Sequence, residues 1–356
     1  MASTTKAIVI AERGKAEIKT LPIPKVRDGY VLVKVNAVGL NPTDWKSIHG
    51  AEKIHIGSRS GCDYAGEVAE VGPGLAKDVK KGDRISGMTF GANPNVTESG
   101  AFGGYTLAKP HMSLKTPAGI SDEEAATLGV AVITVGQGLY QSLQLPLPNK
   151  PASTPFPILI YGGSTGMGLY GIKYAKLSGL TVIATSSPHN FDLLKSLGAD
   201  HVFDYKSPTV GADIRALTKN KLKYAWDCTG FGGEISAAAL SDNEEGGKPK
   251  LGTIIPIERK VVEKINPAVD GPHFTLGYRA VGADITGLSD FLKSAPGDVE
   301  FGAMFWSLTQ ELLEQGKLKP IKPDVNRLGK GLEGVLHGLD ELKNDKVSGT
   351  KLVYTL

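Results

Sequence analysis

Between Pro157 and Ile257 the chain alternates short apolar runs with segments of helix length, and the first run leads straight into a glycine-rich loop. No other feature narrows the fold as much. Ile158 to Tyr161 reads as a buried strand, and Gly168 to Ser178 as a helix stopped by Gly179. Thr181 to Thr185 is a second strand; Pro188 then stands at a first helical position, and Phe191 to Leu197 runs helically to Gly198. His201 to Asp204, Tyr224 to Cys228 and Leu251 to Ile257 follow as further strands. Such repetition predicts a doubly wound parallel sheet in an α/β fold, with its ligand at the carboxyl ends of the strands.

The rest of the chain has another texture. Up to about residue 120, Val31, Val33 and Val35 alternate with Leu32, Lys34 and Asn36, and glycines recur at short spacing from Gly39 to Gly87. Short strands that bend often predict a small β-barrel. Ser121-Asp122-Glu123-Glu124 forms a capping box that opens an Ala-rich helix. Past Val281 come helices over Phe301 to Gln315 and Gly331 to Lys343, then a strand over Lys351 to Leu356. A lone last strand needs a partner sheet, so the expected domains are 1–130 with 290–356 for the barrel, and 131–289 for the doubly wound sheet. A length of 356 residues suits two such domains.

Charge and cysteine content exclude other classes. Forty basic and 37 acidic residues give a net charge of +3 without a basic block, which leaves no footprint for nucleic acid or an anionic membrane. No apolar run approaches the ~18 residues of a membrane span. The first residues carry neither a signal-peptide nor a transit pattern. Only Cys62 and Cys228 are present, far apart and in no disulfide or zinc-finger spacing. A cytoplasmic protein is expected.

The loop Gly162-Gly163-Ser164-Thr165-Gly166-Met167-Gly168 departs from G-x-G-x-x-G by placing Thr165 at the middle glycine. Strand before and helix after still predict a dinucleotide site, in which Gly163, Ser164, Thr165, Gly166 and Met167 approach a pyrophosphate. At the end of the second strand, an acid would bind the 2′-hydroxyl of NAD. Here the chain reads Ser186-Ser187-Pro188-His189-Asn190, without an acid. Hydroxyl, imidazole and amide groups suit a 2′-phosphate, so NADPH is expected; the competing reading is that Ser187 only caps the next helix.

The run Gly61-Cys62-Asp63-Tyr64-Ala65-Gly66-Glu67-Val68, followed by Lys81-Gly82-Asp83-Arg84-Ile85, resembles the medium-chain dehydrogenase/reductase superfamily over essentially the whole chain. The resemblance implies a chaperonin-10-like β-barrel catalytic domain with a Rossmann doubly wound sheet inserted. Asn41-Pro42-Thr43-Asp44-Trp45-Lys46, Leu159 to Thr165, Ser187 to Leu193 and Val202-Phe203-Asp204-Tyr205 are similar to the fungal trans-acting enoyl reductases of polyketide biosynthesis, the lovastatin enzyme among them. Zinc alcohol dehydrogenases of the superfamily would carry cysteine in place of Asn41 and histidine in place of Cys62, plus a four-cysteine cluster missing from Thr89 to Gly104. No metal is therefore expected.

Without a Lewis acid, the natural reaction is hydride addition to a C=C bond conjugated with a carbonyl, which needs donors at the carbonyl oxygen and a proton for the α-carbon. The resemblance implies Lys46 as proton donor or enolate stabiliser, with Thr134 orienting nicotinamide or thioester; the competing reading of Lys46 is an exposed helix lysine. The tyrosine that mitochondrial-type enoyl reductases carry shortly after this lysine is missing from Ser47-Ile48-His49-Gly50. His49 is a candidate to replace it, with satisfaction of local backbone as the favoured reading. Leu40, Asn41, Pro42 and Thr43 are implied near the nicotinamide, Tyr205 near the adenine, Ile255 and Pro256 beside the ribose, and Val347 and Ser348 against the cofactor. Gly129, Val130, Ala131, Val132, Ile133, Val135 and Gly136, a stretch resembling the substrate-side loop, are implied to line the acyl site with Phe274, Thr275, Leu276 and Gly282.

The implied partner is an acyl chain on a polyketide synthase carrier domain, with the reductase itself expected to be a monomer. Two other readings compete: a stand-alone zinc-free quinone or alkenal reductase, and an NADPH-binding protein without catalysis.

Overall fold

The computed structural model describes residues 3–50, 56–75, 78–282 and 293–356. Contacts group the chain into two units, Met1–Ile133 with Gly277–Leu356, and Thr134–Leu276. The chain thus changes unit at 133/134, against an expected 130/131, and returns at 276/277; the expected 289/290 boundary lies outside the described residues.

In the first unit, β1 (Thr4–Glu12) and β2 (Lys15–Pro22) form a hairpin. β3 (Val31–Gly39) is followed by the helix α1 (Pro42–His49), then β4 (Asp63–Val71), β5 (Arg84–Met88), β6 (Tyr105–Ala108) and β7 (Ser113–Lys115). Val31, Val33 and Val35 are buried and Lys34 is exposed between them, but Leu32, on the same face as Lys34, is buried too, packed with Tyr30 and Leu107. Gly66 faces the Lys34 carbonyl, where a Cβ would stand 2.1 Å from the oxygen, so the close approach of β4 to β3 needs glycine.

Ser121 opens α2 (Asp122–Ala125) as expected: its hydroxyl accepts the Glu124 N–H at 3.2 Å, and the Glu124 carboxylate accepts the Ser121 N–H at 3.0 Å. The expected Ala-rich helix opens here and is short. α2 ends after one turn, and a new helix, α3 (Gly129–Val135), begins where Asp63 accepts the Val130 N–H at 2.7 Å. A Cβ on Gly129 would lie 2.1 Å from that carboxylate, so glycine lets a buried acid from β4 start the second helix. α3 runs on as a π-helical segment, Gly136–Ser142.

The second unit contains β8 (Pro157–Tyr161), α4 (Gly166–Leu177), β9 (Thr181–Ser186), α5 (Phe191–Ser196), β10 (His201–Asp204), α6 (Val210–Leu217), β11 (Tyr224–Asp227), α7 (Gly233–Ala239), β12 (Lys250–Thr253), α8 (Arg259–Glu263) and β13 (Asp270–Phe274). All neighbouring strands are parallel, in the order β10-β9-β8-β11-β12-β13. Strand β12 is shorter than the expected Leu251 to Ile257: the Thr253 hydroxyl donates to the Ile255 carbonyl at 2.7 Å and turns the chain off the sheet. Leu159, Ile183, Ala225 and Leu251 are buried against Ile214, Ala237 and Val262 from the helices, which accounts for the unbroken apolar character of the strands.

The chain completes the first unit with α9 (Asp298–Glu314), β14 (Pro323–Val325), α10 (Gly331–Lys343) and β15 (Lys351–Thr355). Strand β15 pairs antiparallel with β3, and β14 parallel with β15, in the sheet order β14-β15-β3-β4-β5-β7, with β6 also on β3. The core here joins Val33, Val35 and Tyr64 to Leu339, Leu352 and Tyr354.

Candidate active site

In the doubly wound sheet the strand order reverses between β8 and β11, the crevice where such folds bind ligands. Two loops meet the carboxyl ends of these strands. After β8, Gly162 takes φ +77°, a conformation L side chains rarely adopt. Its N–H donates to the Thr185 hydroxyl at 3.0 Å, and the Gly163 N–H to the Thr185 carbonyl at 2.8 Å. Thr165 caps α4 by accepting the Gly168 N–H at 3.0 Å. Gly168 packs on the loop, where a Cβ would stand 2.3 Å from the Gly162 carbonyl oxygen, whereas a Cβ on Gly166 would meet nothing within 4 Å. Helix geometry leaves the Gly166 and Met167 N–H groups without intrahelical acceptors. Open space beside free donors at the positive end of a helix dipole suits a diphosphate.

The second loop is tied by Asp227, the last residue of β11. One carboxylate oxygen accepts the Thr229 N–H at 2.8 Å, its hydroxyl at 2.7 Å and the Gly230 N–H at 3.1 Å; the other accepts the Gly232 N–H at 2.8 Å. Burial, and then the neighbouring Asp227 charge, pushes the Tyr161 phenol up to about 12. Ile255 packs on Gly230, which places Ile255 and Pro256 beyond the carboxyl end of β12, beside this loop. At the end of β9, Ser187 is half-buried and makes no capping hydrogen bond, and the imidazole of the exposed His189 meets the amide of the buried Asn190 at 3.2 Å. Pro188 and Tyr205 are exposed.

The barrel unit carries a second group of polar side chains. Pro42 starts α1, and the Asp44 carboxylate accepts the Asn41 N–H at 2.7 Å. Leu40 and Asn41 are buried, Thr43 is half-buried, and Lys46 is exposed with its ammonium 5.7 Å from the Trp45 ring centre. His49 satisfies the Trp45 carbonyl through Nδ1 at 2.9 Å and meets the Lys343 ammonium through Nε2 at 3.0 Å. Beneath α1, the fully buried Lys351 ammonium pairs with Asp63 and donates to Asn41 Oδ1 at 2.9 Å. This orients the Asn41 amide so that its Nδ2 is buried without a partner among the described residues, a donor available to a ligand.

Beside that pair, the Tyr278 hydroxyl lies 2.8 Å from the Thr43 hydroxyl and 3.2 Å from the Cys62 thiol. Burial, and then the neighbouring Asp63 charge, raise the Asp44 carboxyl to about 7, against the opposing effects of the Asn41 N–H, Cys62 and Lys351. Burial first, and the Asp44 and Asp63 charges next, hold the Cys62 thiol well above its usual range. The Tyr278 phenol is raised by burial and by Cys62 and Asp44.

Among the described residues there is no group of three or more His, Cys, Asp or Glu side chains able to hold a metal ion. Of the two positions that compare with zinc ligands, Asn41 offers an amide oxygen that already accepts from the Lys351 ammonium at 2.9 Å, and Cys62 offers a thiol held protonated by burial, a donor set that does not fit zinc.

The stretch 130–136, expected as a loop, is helical: it lies in α3 and the start of the π-helical segment. Ala131, Val132, Ile133 and Val135 are fully buried, Gly136 is buried, and Thr134 is 7% exposed. Phe274 ends the edge strand β13, the Thr275 N–H donates to the Thr253 carbonyl at 3.1 Å, and Leu276 is half-buried. Gly282 takes φ +92° beside Val299. Val347 packs against the barrel core, and Ser348 lies between α10 and β15. Sequence reasoning missed Tyr278, Lys351 and Asp227 as site residues. A lysine opening the apolar run Lys351-Leu352-Val353-Tyr354 and an aspartate closing the strand Tyr224-Ala225-Trp226-Asp227 were the available signals.

Comparison with known proteins follows this division. Residues 27–118 match the alcohol dehydrogenase GroES-like domain, and residues 166–248 match the zinc-binding dehydrogenase family. A trans-enoyl reductase of Alternaria alternata, ACTTS2, is 43% identical over 354 residues, covering 99% of each chain. Another, resD of Aspergillus sclerotiorum, is 38% identical, covering 98% of this chain and 99% of its own. In fold, the chain superimposes on the CurK enoyl reductase with a TM-score of 0.75 at 19% identity, covering 99% of both.

Proposed function

The chain belongs to the trans-enoyl reductases, within the medium-chain dehydrogenases and reductases, and we propose that it uses NADPH, without zinc, to reduce an α,β-unsaturated thioester carried by a polyketide synthase. The observation that carries the cofactor choice is the acid-free end of β9, where Ser187 is not spent on capping and His189 and Asn190 stand beside it. A carboxylate there would repel a 2′-phosphate; hydroxyl, imidazole and amide groups donate to it. The Gly163 to Met167 loop and the start of α4 hold the diphosphate through backbone N–H groups. Asn41 Nδ2 is a donor for the nicotinamide end.

When bound, the dihydronicotinamide supplies a hydride to the β-carbon. The protein's part is to stabilise negative charge at the carbonyl oxygen and to protonate the α-carbon. The exposed Lys46 ammonium serves the oxygen, and Thr134 the thioester. The absence of zinc is supported by the Asn41 amide oxygen, which already accepts from the Lys351 ammonium, and by the protonated Cys62 thiol.

NADPH consumption measured with free and carrier-bound enoyl thioesters, simple alcohols and quinones tests this reading. Turnover of enoyl thioesters alone is expected, faster on the carrier. Turnover of quinones, or tighter binding of NADH than NADPH, would overturn it. Lys46→Ala should abolish turnover while leaving NADPH binding intact.

A further inference from the structure

Of the two tasks the reaction sets the protein, Lys46 takes the charge at the carbonyl oxygen, and none of the residues assigned above carries the proton for the α-carbon. Beside the start of α1 stands a group with a proton to give. Tyr278, in the 3-10 turn Gly277–Val281, brings its hydroxyl to 2.8 Å from the Thr43 hydroxyl and 3.2 Å from the Cys62 thiol. Phe90, just past β5, stacks on its ring with centroids 4.2 Å apart and planes at 27°, which fixes the direction of the phenol. Cys62 is buried and closes the inner side; Thr43, half-buried like Tyr278, lies on the other.

A phenolic oxygen has one proton to donate and lone pairs with which to accept. The Thr43 hydroxyl and the Cys62 thiol each carry a proton that rotation turns onto that oxygen, and no third polar group meets it among the described residues. With both neighbours donating, the Tyr278 O–H is left for a ligand, and the phenolate formed by its loss keeps two hydrogen bonds. Burial first, then Cys62 and Asp44, raise the phenol above its ordinary range, so it holds its proton at neutral pH until a much stronger base, an enolate, meets it. Thr43 also ties the phenol to the reactive end, since it lies two residues after Asn41, whose unpartnered Nδ2 is the donor for the nicotinamide.

We propose that Tyr278 is the acid that protonates the α-carbon of the substrate, with Thr43 and Cys62 as the donors that hold the phenolate it leaves behind. The proposal deepens the enoyl-reductase reading above and rests on it. Once the hydride has formed the β-carbon C–H bond, the displaced π pair lies in the enolate. That pair takes the Tyr278 proton: the Cα–H bond forms, the phenolic O–H bond breaks and its electrons stay on the oxygen, while the carbonyl re-forms. Thr43 then gives its proton to the phenolate and takes one from solvent, which restores the acid. The proton step consumes no oxidant or reductant, because the two-electron reduction is complete when the hydride has been delivered.

The test is reduction of an enoyl thioester by NADPH in D2O, with the α-deuterium located by NMR of a chiral derivative of the product. The Tyr278 hydroxyl exchanges with solvent, so the wild type should label one face of the α-carbon. In Tyr278→Phe, product formation should slow on the order of 10²-fold and label should enter both faces, because solvent then protonates the enolate, while the NADPH dissociation constant stays unchanged. Thr43→Val keeps the acid and removes one hydrogen bond to the phenolate, so it should slow the reaction by about tenfold with a single face still labelled. Tyr278→Phe that labels one face, or whose rate is within about twofold of wild type, overturns the role of Tyr278 and leaves the enoyl-reductase reading standing. Should Tyr278→Phe fail to fold by circular dichroism, Thr43→Val decides: a rate within about twofold of wild type, or label on both faces, overturns the proposal. A wild type that reduces no enoyl thioester overturns both readings.

Discussion

Replacing Lys351 by methionine should do more damage than any other single change at one charged side chain in the barrel unit. Its side chain is 3% exposed and that of Asp63 is fully buried. At a separation of about 3 Å and an effective dielectric constant of about 20, two unit charges attract by about 5 kcal/mol, from which several kcal/mol of desolvation have already been spent. Methionine removes the attraction and leaves Asp63 buried and charged, and Asn41 Oδ1 loses its donor as well. The expected cost is about 3 to 5 kcal/mol. With an m-value of about 2 to 3 kcal/mol per molar urea, the barrel transition should move down by about 1 to 2 M. Urea melts followed by circular dichroism measure the shift. Asp63→Asn in the same chain keeps an acceptor for the Val130 N–H and removes the stranded charge, so Lys351→Met with Asp63→Asn should recover more than half of the loss. A Lys351→Met shift below about 0.3 M, or a double mutant whose loss equals the sum of the singles, would refute the claim that this pair is a desolvated, mutually dependent unit.

Asp44 makes stability depend on pH. Its folded-state pKa of about 7 lies above the ordinary carboxylate value of 3.8, so the folded state binds the proton more tightly. The resulting stabilisation is complete below pH 3.8 and is lost as pH rises to about 7; in Asp44→Asn this fall should be absent from urea midpoints taken across that window. Gly168→Ala forces a Cβ to within 2.3 Å of the Gly162 carbonyl oxygen, and NADPH affinity by fluorescence titration should fall by about tenfold or more, with the urea transition of the barrel unit unchanged. Ser187→Asp should reverse the cofactor preference by repelling a 2′-phosphate, raising the NADPH dissociation constant by about tenfold or more while NADH binding holds or tightens.

Much of the doubly wound unit was legible along the chain because its determinants are local. Apolar runs of strand length, Gly179 and Gly198 as helix stops, and the Gly162 to Gly168 loop each act within a few residues, and consecutive strands lie close together in the parallel sheet. The Ser121 capping box was legible for the same reason. The second helix was not legible, because its start is set by Asp63, whose carboxylate accepts the Val130 N–H from 67 residues away. The stretch 130–136 was expected as a loop for want of that contact.

Sequence alone therefore determined the glycine loop between strand and helix, the acid-free strand end on which the NADPH proposal rests, and the scarcity of cysteine on which the zinc-free proposal rests. Tertiary structure alone decided which polar side chains meet in the barrel unit. Tyr278 reaches Thr43 across 235 residues and Cys62 across 216, and Lys351 reaches Asp63 across 288. No periodicity carries information over such distances. Burial settles the chemistry of these groups: a carboxyl, a thiol and a phenol removed from water change their proton affinities by amounts that depend on which neighbours the fold brings within a few ångströms.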